Sequence, residues 1–403
     1  MAAFSLQWQG FVNSLTAYVQ NFSFHTLVMA IMMVFMILGL IDKLRGNKWG
    51  YGEAFDNAFH TMGPLTLCMA GAIAAAPLLC ELLSPLVTPL SRAIGASPAL
   101  FAPTFLALDM GGYPLAMEMC EGNEALGNFG GLILGSTMGC TLIFTIPFAL
   151  TVIRPEDRPV LAAGILAGMI TIPLGCLVGG LAMASTDYAL PLGMLLINLL
   201  PILLISVLVA LGLFLFPAGM MRFFSGFGRA MTVLILVALG ASILQSQTGI
   251  HFPYLSMMVE TPEDGSLSPL MSGLLSVGQI AIVLAGALPM VEFLKKFFAR
   301  PLAALGRRLS MNEAGCASLI ASLANSIVVF EGYGKMNTRG RLLNAAFAVS
   351  ASFMLGDHLG FTAAVCPDMI MPVIAAKAVA GFSALLLAHF MAPWLMKKLK
   401  IEG

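Results

Sequence analysis

Charged residues are scarce in this sequence: Asp, Glu, Lys and Arg make up 10% of its 403 residues, against about 25% in ordinary soluble domains. A soluble fold of this length needs a polar surface that so few charges cannot supply. The 20 Lys and Arg residues balance the 20 Asp and Glu residues, which excludes the basic footprint of a nucleic-acid-binding protein. The composition, 59% hydrophobic, predicts an integral membrane protein.

Several motifs of secreted proteins and enzymes are missing as well. The N-terminal segment MAAFSLQWQG has no Lys or Arg, so we expect no cleavable signal peptide. No two of the 7 cysteines have CxxC spacing, which argues against a disulfide framework or a zinc site. Since there is also no P-loop, HExxH or GxSxG motif, we predict no cofactor, no metal and no catalytic residues.

Long apolar runs predict the transmembrane helices, since a helix needs about 20 apolar residues to cross a bilayer. Residues 24–403 should form one transmembrane domain. In the preceding extension, residues 1–23, Trp8, Phe11 and Leu15 recur at helical spacing, which predicts a helix in the membrane interface; a plain solubilising extension is the alternative. The pattern predicts an all-α polytopic membrane protein with about nine spans, near 24–41, 60–82, 127–153, 159–184, 188–216, 228–247, 269–294, 342–366 and 369–396.

Two further apolar segments are too interrupted to span. Residues 98–120 contain the string LDMGGYP and residues 312–334 contain LANS, so each half has about ten residues, too few to cross. We interpret both segments as re-entrant helical hairpins. Their non-helical tips must then be buried in protein or line a watery cavity.

The distribution of charge orients the spans. With the N-terminus outside, every Lys and Arg except Arg92 and Lys377 falls on the inner side, as the positive-inside rule requires. We therefore expect a cytoplasmic C-terminus. The outer loops instead carry the acidic residues Glu121, Glu124, Asp187, Glu260, Glu263 and Asp264.

An internal repeat relates the two hairpins. Each hairpin precedes a long span, so the repeats cover 98–153 and 312–366, and 138–145 aligns with 355–362 at identical Gly, Leu, Phe and Thr residues. The topology places the two hairpins on opposite sides of the membrane. Inverted repeats with broken helices are the architecture of secondary transporters. A channel is the alternative, but paired outer and inner hairpins favour alternating access.

Charged side chains inside a membrane are costly and mark functional sites. Asp109 lies at the tip of the first hairpin beside Gly111 and Gly112, which permit backbone conformations closed to other residues. Capping the second half-helix is its structural alternative. Glu118, on the following arm, either faces the same cavity or reaches the outer interface.

The string GDHLG interrupts the span 342–366 and contains Asp357 and His358 between Gly356 and Gly360. An adjacent acid and imidazole flanked by glycines predict local unwinding and a buried polar site for substrate or proton handling. The alternative is a structural hydrogen bond between helices.

Three more polar residues complete the candidate site. Lys377 lies well inside the last span, and we expect it to pair with Asp357 because lone buried charges are penalised; snorkelling outward is the alternative. Asn325 and Ser326, at the tip of the second hairpin, offer an amide and a hydroxyl to a substrate. Closing the turn is their structural alternative.

The strings LDMGGYPLAMEM, GLILGSTMG and MNTRGRLLNAAFAVSASFMLGDHLGF make the chain resemble the ethanolamine permeases of bacterial ethanolamine-utilisation operons, from about residue 24 to residue 396. The resemblance implies an inner-membrane protein that takes up ethanolamine for breakdown by separate enzymes. The chain departs from the family pattern at Met117, Ser326 and Glu331, and the two changes around the second hairpin, Ser326 and Glu331, leave open a related amine as substrate. The match carries over Asp109, Gly111, Gly112, Glu118, Asn325, Gly356, Asp357, His358, Gly360, Phe361 and Lys377.

The chemistry of ethanolamine agrees with the residues present. As a primary amine it is protonated near neutral pH, so its site needs a carboxylate, a partner for the hydroxyl and an aromatic face for the ammonium. The sequence offers these groups at Asp109 or Asp357, at Asn325 with Ser326, and at Tyr113 or Phe361.

Two other functions stay open at this point. One is transport of another small polar solute, such as a different amine or a nucleoside. The other is an intramembrane enzyme using the acid and imidazole of GDHLG. We expect a small-molecule substrate and the lipid bilayer as partners, and a homo-oligomer is compatible with a moving-hairpin transporter.

Overall fold

The computed structural model describes residues 2–20, 22–262 and 265–398, so the predicted positions of Glu263, Asp264 and Lys400 lie outside the described residues. Over these ranges the chain consists of helices and turns, without strands. The α-helices are α1 (Ala2–Gln20), α2 (Phe24–Leu44), α3 (Tyr51–His60), α4 (Met62–Leu65), α5 (Gly71–Ala93), α6 (Phe101–Phe105), α7 (Tyr113–Glu118), α8 (Glu124–Asn128), α9 (Ile146–Val152), α10 (Arg158–Ala182), α11 (Leu192–Leu215), α12 (Pro217–Thr248), α13 (Pro269–Arg308), α14 (Glu313–Ala324), α15 (Ser326–Glu331), α16 (Thr338–Ala351), α17 (Asp357–Val365) and α18 (Ile370–Lys398).

Among the described residues, 8 helical segments are long and apolar enough to cross a membrane. They confirm an all-α polytopic membrane protein. Several join consecutive helices through wider π-helical turns, such as Thr66–Ala70 between α4 and α5. The segments are Phe24–Leu44, Tyr51–Ala93, Glu124–Val152, Pro155–Ser185, Leu192–Leu215, Pro217–Thr248, Pro269–Phe298 and Pro367–Trp394.

The predicted span 342–366 is not one helix, and the interruption expected from GDHLG is present. The chain leaves the helical conformation after Ala351 and resumes it at Asp357, so α16 has 14 residues and α17 has 9. Each is too short to cross alone. The unwinding was expected within GDHLG; it covers 352–356 and includes only Gly356 of that string, because Asp357 is already the first residue of α17.

The two segments predicted as hairpins each form a pair of short helices around a break. In the first, α6 and α7 flank residues 106–112; in the second, α14 and α15 flank Asn325. Both halves of the chain thus contain, in the same order, a long helix and a broken pair of short helices; two spans follow in the first half, whereas the interrupted α16–α17 segment and one span follow in the second. Re-entry into the membrane and the opposite orientation of the halves stay predictions.

Loops that were predicted to share one side of the membrane lie together. Arg92, the basic residue expected outside, pairs with Glu121 at 2.6 Å. Asp157, in the loop before α10, pairs with Arg341 near the start of α16. These contacts agree with the predicted grouping of loops.

The centre of the bundle is formed by the segments Glu124–Val152 and Pro155–Ser185, which are the most buried spans. There α10 packs closely on α18: a Cβ added to Gly175 would lie 2.5 Å from that of Ala380. The peripheral helices α2, α11 and α12 expose many large aliphatic side chains, as lipid-facing helices do. The predicted N-terminal helix is present as α1, and its place in the membrane interface stays a prediction.

Candidate functional site

The first break in the chain presents Asp109. After α6 the backbone is extended at Ala107 (φ −64°, ψ 154°), and Gly111 takes a φ of +97°, which favours glycine. The amides of Met110 and Gly112 donate to the Ala107 carbonyl at 3.0 and 2.9 Å. Backbone groups therefore close this turn, while Asp109 is half-buried and α7 begins without a side-chain cap in the described chain.

The second break contains a buried hydroxyl group without a partner. Asn325 is extended (φ −159°, ψ 128°), and its Oδ1 accepts a hydrogen bond from the Ile327 amide at 2.8 Å, capping α15. The Ser326 hydroxyl is fully buried and has no hydrogen-bond partner in the part of the chain that the structure describes. Leaving such a group unpaired costs about 1–3 kcal/mol, so a ligand that bonds to it would be favoured.

The third break, at 352–356, is joined to the second break by backbone hydrogen bonds. The amides of Phe353 and Leu355 donate to carbonyls near the end of α14 at 3.0 and 2.8 Å. At Gly356 an added Cβ would lie only 2.0 Å from the Ala324 carbonyl oxygen. Only glycine fits there, because any side chain would separate the two breaks.

The same kind of contact occurs in the first half of the chain. An added Cβ at Gly139 would lie 2.1 Å from the Leu106 carbonyl oxygen. Gly139 lies in the π-helical stretch Phe129–Gly139 and is the residue that aligns with Gly356 in the internal repeat. In each half a glycine thus receives the carbonyl of the neighbouring broken pair, which supports the repeat.

Four ionisable side chains, Asp109, Asp357, His358 and Lys377, belong to the segments that converge at these breaks. The turn that contains Asp109 (Leu108–Gly112) contacts α17, which begins at Asp357. Lys377, 1% exposed, does not form the expected ion pair with Asp357. Its Nζ instead donates to the Ser136 carbonyl at 2.6 Å and contacts His358 Nδ1 at 3.1 Å. Both carboxylates are half-buried and make no ion pair among the described residues.

The position of His358 explains why Lys377 does not pair with Asp357. His358, 1% exposed, is the second residue of α17 and presents Nδ1 to the ammonium, and its ring stacks on that of Phe353 at 5.0 Å. A neutral imidazole nitrogen can accept a hydrogen bond. His358 therefore provides a hydrogen-bond acceptor for the Lys377 ammonium, which needs no carboxylate as a partner. Asp357 is left available to a ligand.

The two predicted aromatic residues lie against each other. The rings of Tyr113 and Phe361 meet edge to face, with centroids 5.6 Å apart. Tyr113 is half-buried and Phe361 is buried. This contact joins α7 to α17, so it links the first hairpin segment to the second half of the chain.

Two predicted residues lie apart from this cluster. Glu118 ends α7 and is exposed, which agrees with its alternative interpretation as an interfacial residue. Gly360 packs on α13, where an added Cβ would lie 3.2 Å from Ile280 and 3.3 Å from Leu284. Its role is close helix packing rather than ligand contact.

Sequence reasoning missed two neighbours of the cluster. The Ser136 carbonyl binds Lys377, and Cys140, which is buried, interacts electrostatically with Lys377, Asp109 and Asp357. The signal was present in the internal alignment, which places Cys140 opposite Asp357. That signal is weak because small residues also serve as ordinary packing residues in membrane helices.

A pocket of about 340 Å³ leads toward the second break. Its lining includes Gly50, Glu53, Glu292, Lys295 and Ala324. Because the Ala324 carbonyl contacts Gly356, the pocket adjoins the third break at Ala324. The pocket is therefore a candidate access route to the charged cluster.

Comparison with known proteins gives a consistent result. The family described as "Ethanolamine utilisation protein, EutH" matches residues 24–391. A Listeria monocytogenes protein named "Probable ethanolamine permease EutH" is 46% identical over 380 residues, covering 94% of this chain and 97% of the relative. An Escherichia coli protein of the same name is 39% identical over 389 residues, covering 91% and 95%. No solved structure matches.

Proposed function

The chain belongs to the EutH family of ethanolamine utilisation proteins, and we propose that it is a secondary transporter or facilitator that carries ethanolamine across the bacterial inner membrane. Its N-terminus would lie outside and its C-terminus in the cytoplasm, as the basic loops predict. Ethanolamine taken up in this way would supply catabolism by separate enzymes.

One observation supports the proposal: the turn that contains Asp109 contacts α17, which begins at Asp357, and Lys377 contacts the next residue of that helix, His358. With both acids ionised, the cluster has one negative charge too many, because neutral His358 adds none. A monovalent cation lying between Asp109 and Asp357 would balance it. Protonated ethanolamine supplies that charge, and charge-assisted hydrogen bonds to the carboxylates would bind it.

The hydroxyl of ethanolamine has a candidate partner in Ser326. Ser326 follows Asn325 at the second break, where Ala324 contacts Gly356. Tyr113 would supply an aromatic surface for the ammonium on the side of the first hairpin segment. The breaks that present these groups belong to different halves of the chain, so a movement of one half against the other would open the site to each side in turn.

The intramembrane enzyme is disfavoured by the same geometry. His358 Nδ1 is engaged by Lys377 rather than oriented by a carboxylate. A catalytic acid–imidazole pair requires hydrogen-bond contact between its members. We expect substrate to leave the protein chemically unchanged.

Uptake of radiolabelled ethanolamine into proteoliposomes tests the proposal. We expect saturable uptake that excess unlabelled ethanolamine blocks and that uridine, at the same excess, does not. Recovered substrate should be intact by chromatography. Equal competition by uridine, chemical conversion of the substrate, or uptake no faster than into empty liposomes would contradict the proposal.

Ser326→Ala is expected to remove the preference for the hydroxyl of the substrate. In the wild type, ethylamine, which lacks that hydroxyl, should bind about tenfold or more weakly than ethanolamine, because it leaves the buried Ser326 hydroxyl unpaired. In the variant the two amines should bind with similar affinity, measured by calorimetry in detergent. A preference that survives the substitution unchanged would place the substrate hydroxyl elsewhere.

A further inference from the structure

A second pocket, of about 760 Å³, lies apart from the charged cluster, and its lining comes from α9, α10, α11, α12 and the loop before α10. Among the described residues that line it, none is acidic and two, Arg158 and Arg222, are cationic. Its other walls are mainly apolar, among them Leu150, Ala162, Leu166, Leu213, Phe214 and Met221.

The two guanidinium groups have donors left for a ligand. One terminal nitrogen of Arg158 donates to the Leu150 carbonyl at 3.2 Å, but its Nε is buried and has no hydrogen-bond partner in the described chain. Arg222 is exposed and uses its Nε on the Ala218 carbonyl at 3.2 Å. The acid next in sequence, Asp157, is engaged by Arg341 and does not neutralise Arg158.

The position of the pocket indicates which molecules can reach it. Its lining comes from the end of α9, the start of α10, the end of α11 and the start of α12. These helix ends meet on the side that the basic loops predict to be cytoplasmic. The pocket would therefore lie at the level of the inner-leaflet headgroups, with its apolar walls extending toward the acyl chains.

We propose that this pocket binds an anionic phospholipid. The phosphate lies between the terminal guanidinium nitrogens of Arg158 and Arg222, and an acyl chain covers the apolar walls. Guanidinium groups bind phosphate through charge-assisted hydrogen bonds, and basic pockets between transmembrane helices on the cytoplasmic side bind lipid headgroups. The charge of the pocket selects an anionic lipid over a neutral one.

Native mass spectrometry of the full chain in detergent tests the proposal, with phosphatidylglycerol, phosphatidylcholine or inorganic phosphate added. We expect wild-type protein to retain phosphatidylglycerol and to bind it at least about tenfold more tightly than phosphatidylcholine. Arg158→Gln and Arg222→Gln should each abolish most of that preference, and Arg158→Lys should keep part of it. Arg229→Gln, an exposed arginine on the same helix as Arg222 that does not line the pocket, should behave like the wild type.

Arg222→Gln keeps the test decisive if Arg158→Gln does not fold, because Arg222 is exposed. Equal retention of both lipids, or an equal loss in Arg229→Gln, would overturn the proposal. Displacement of the lipid by millimolar inorganic phosphate would identify a phosphate site rather than a lipid site. A dimer whose population falls in the pocket variants, with no bound lipid, would assign the pocket to a second copy of the chain and also overturn it.

Discussion

Asp109→Asn is expected to weaken ethanolamine binding by about 100-fold or more while the protein stays folded. Asn keeps the size of the side chain but removes the charge that would bind the substrate ammonium. Losing a buried, charge-assisted hydrogen bond costs about 3 kcal/mol, which corresponds to two powers of ten in affinity. Because backbone groups close the turn around Asp109, the substitution should leave the fold intact.

Glu118→Gln is the matched control for this variant. It removes a carboxylate from the same hairpin segment, but from an exposed position at the end of α7. Its affinity for ethanolamine, measured by the same calorimetry, should stay within about twofold of the wild type, as for a surface charge screened by solvent. Wild-type affinity in Asp109→Asn, or an equal loss in Glu118→Gln, would show that Asp109 does not bind the ammonium.

Lys377→Met is expected to lower the free energy of unfolding by about 3 kcal/mol or more. The change leaves the Ser136 carbonyl and His358 Nδ1 buried without their shared donor. It also removes the positive charge that interacts with Asp109. Denaturant titration in detergent measures the loss.

A double-mutant cycle identifies the partner of Lys377. Because Nζ contacts His358 and not Asp357, Lys377→Met combined with His358→Phe should do less harm than the two single effects added, by about 1–3 kcal/mol. Combined with Asp357→Asn, the effects should be closer to additive. A larger coupling energy between Lys377 and Asp357 than between Lys377 and His358 would instead support the Lys377–Asp357 ion pair expected from the sequence.

The sequence was sufficient to find the places where helices break. Gly111 and Gly112 follow Asp109 in an otherwise apolar segment, and Gly356 precedes Asp357. A charged side chain inside an apolar run is costly and marks a functional site. The glycines beside Asp109 and Asp357 therefore indicated irregular backbone near buried charge. The internal alignment of Gly139 with Gly356 also indicated equivalent positions, and the structure gives both glycines the same close contact with a carbonyl.

The sequence did not predict the hydrogen-bond partners of the buried charged side chains. Lys377 bonds to the backbone carbonyl of Ser136, and a carbonyl has no signature in residue type. Ser136 lies in the π-helical stretch Phe129–Gly139, which packs against the first break at Leu106 and Leu108. The exposure of Glu118 likewise depends on where α7 ends, and helix ends are set within one or two residues by tertiary contacts.

The central claim is that a cationic substrate lies between Asp109 and Asp357, at the meeting point of the two halves of the chain. A structure of the protein with ethanolamine bound tests it most directly. The account predicts the ammonium nitrogen within about 3 Å of a carboxylate oxygen from each residue, with the substrate hydroxyl toward Ser326. An ammonium held away from both carboxylates, at Glu118 or in the 760 Å³ pocket, would contradict it.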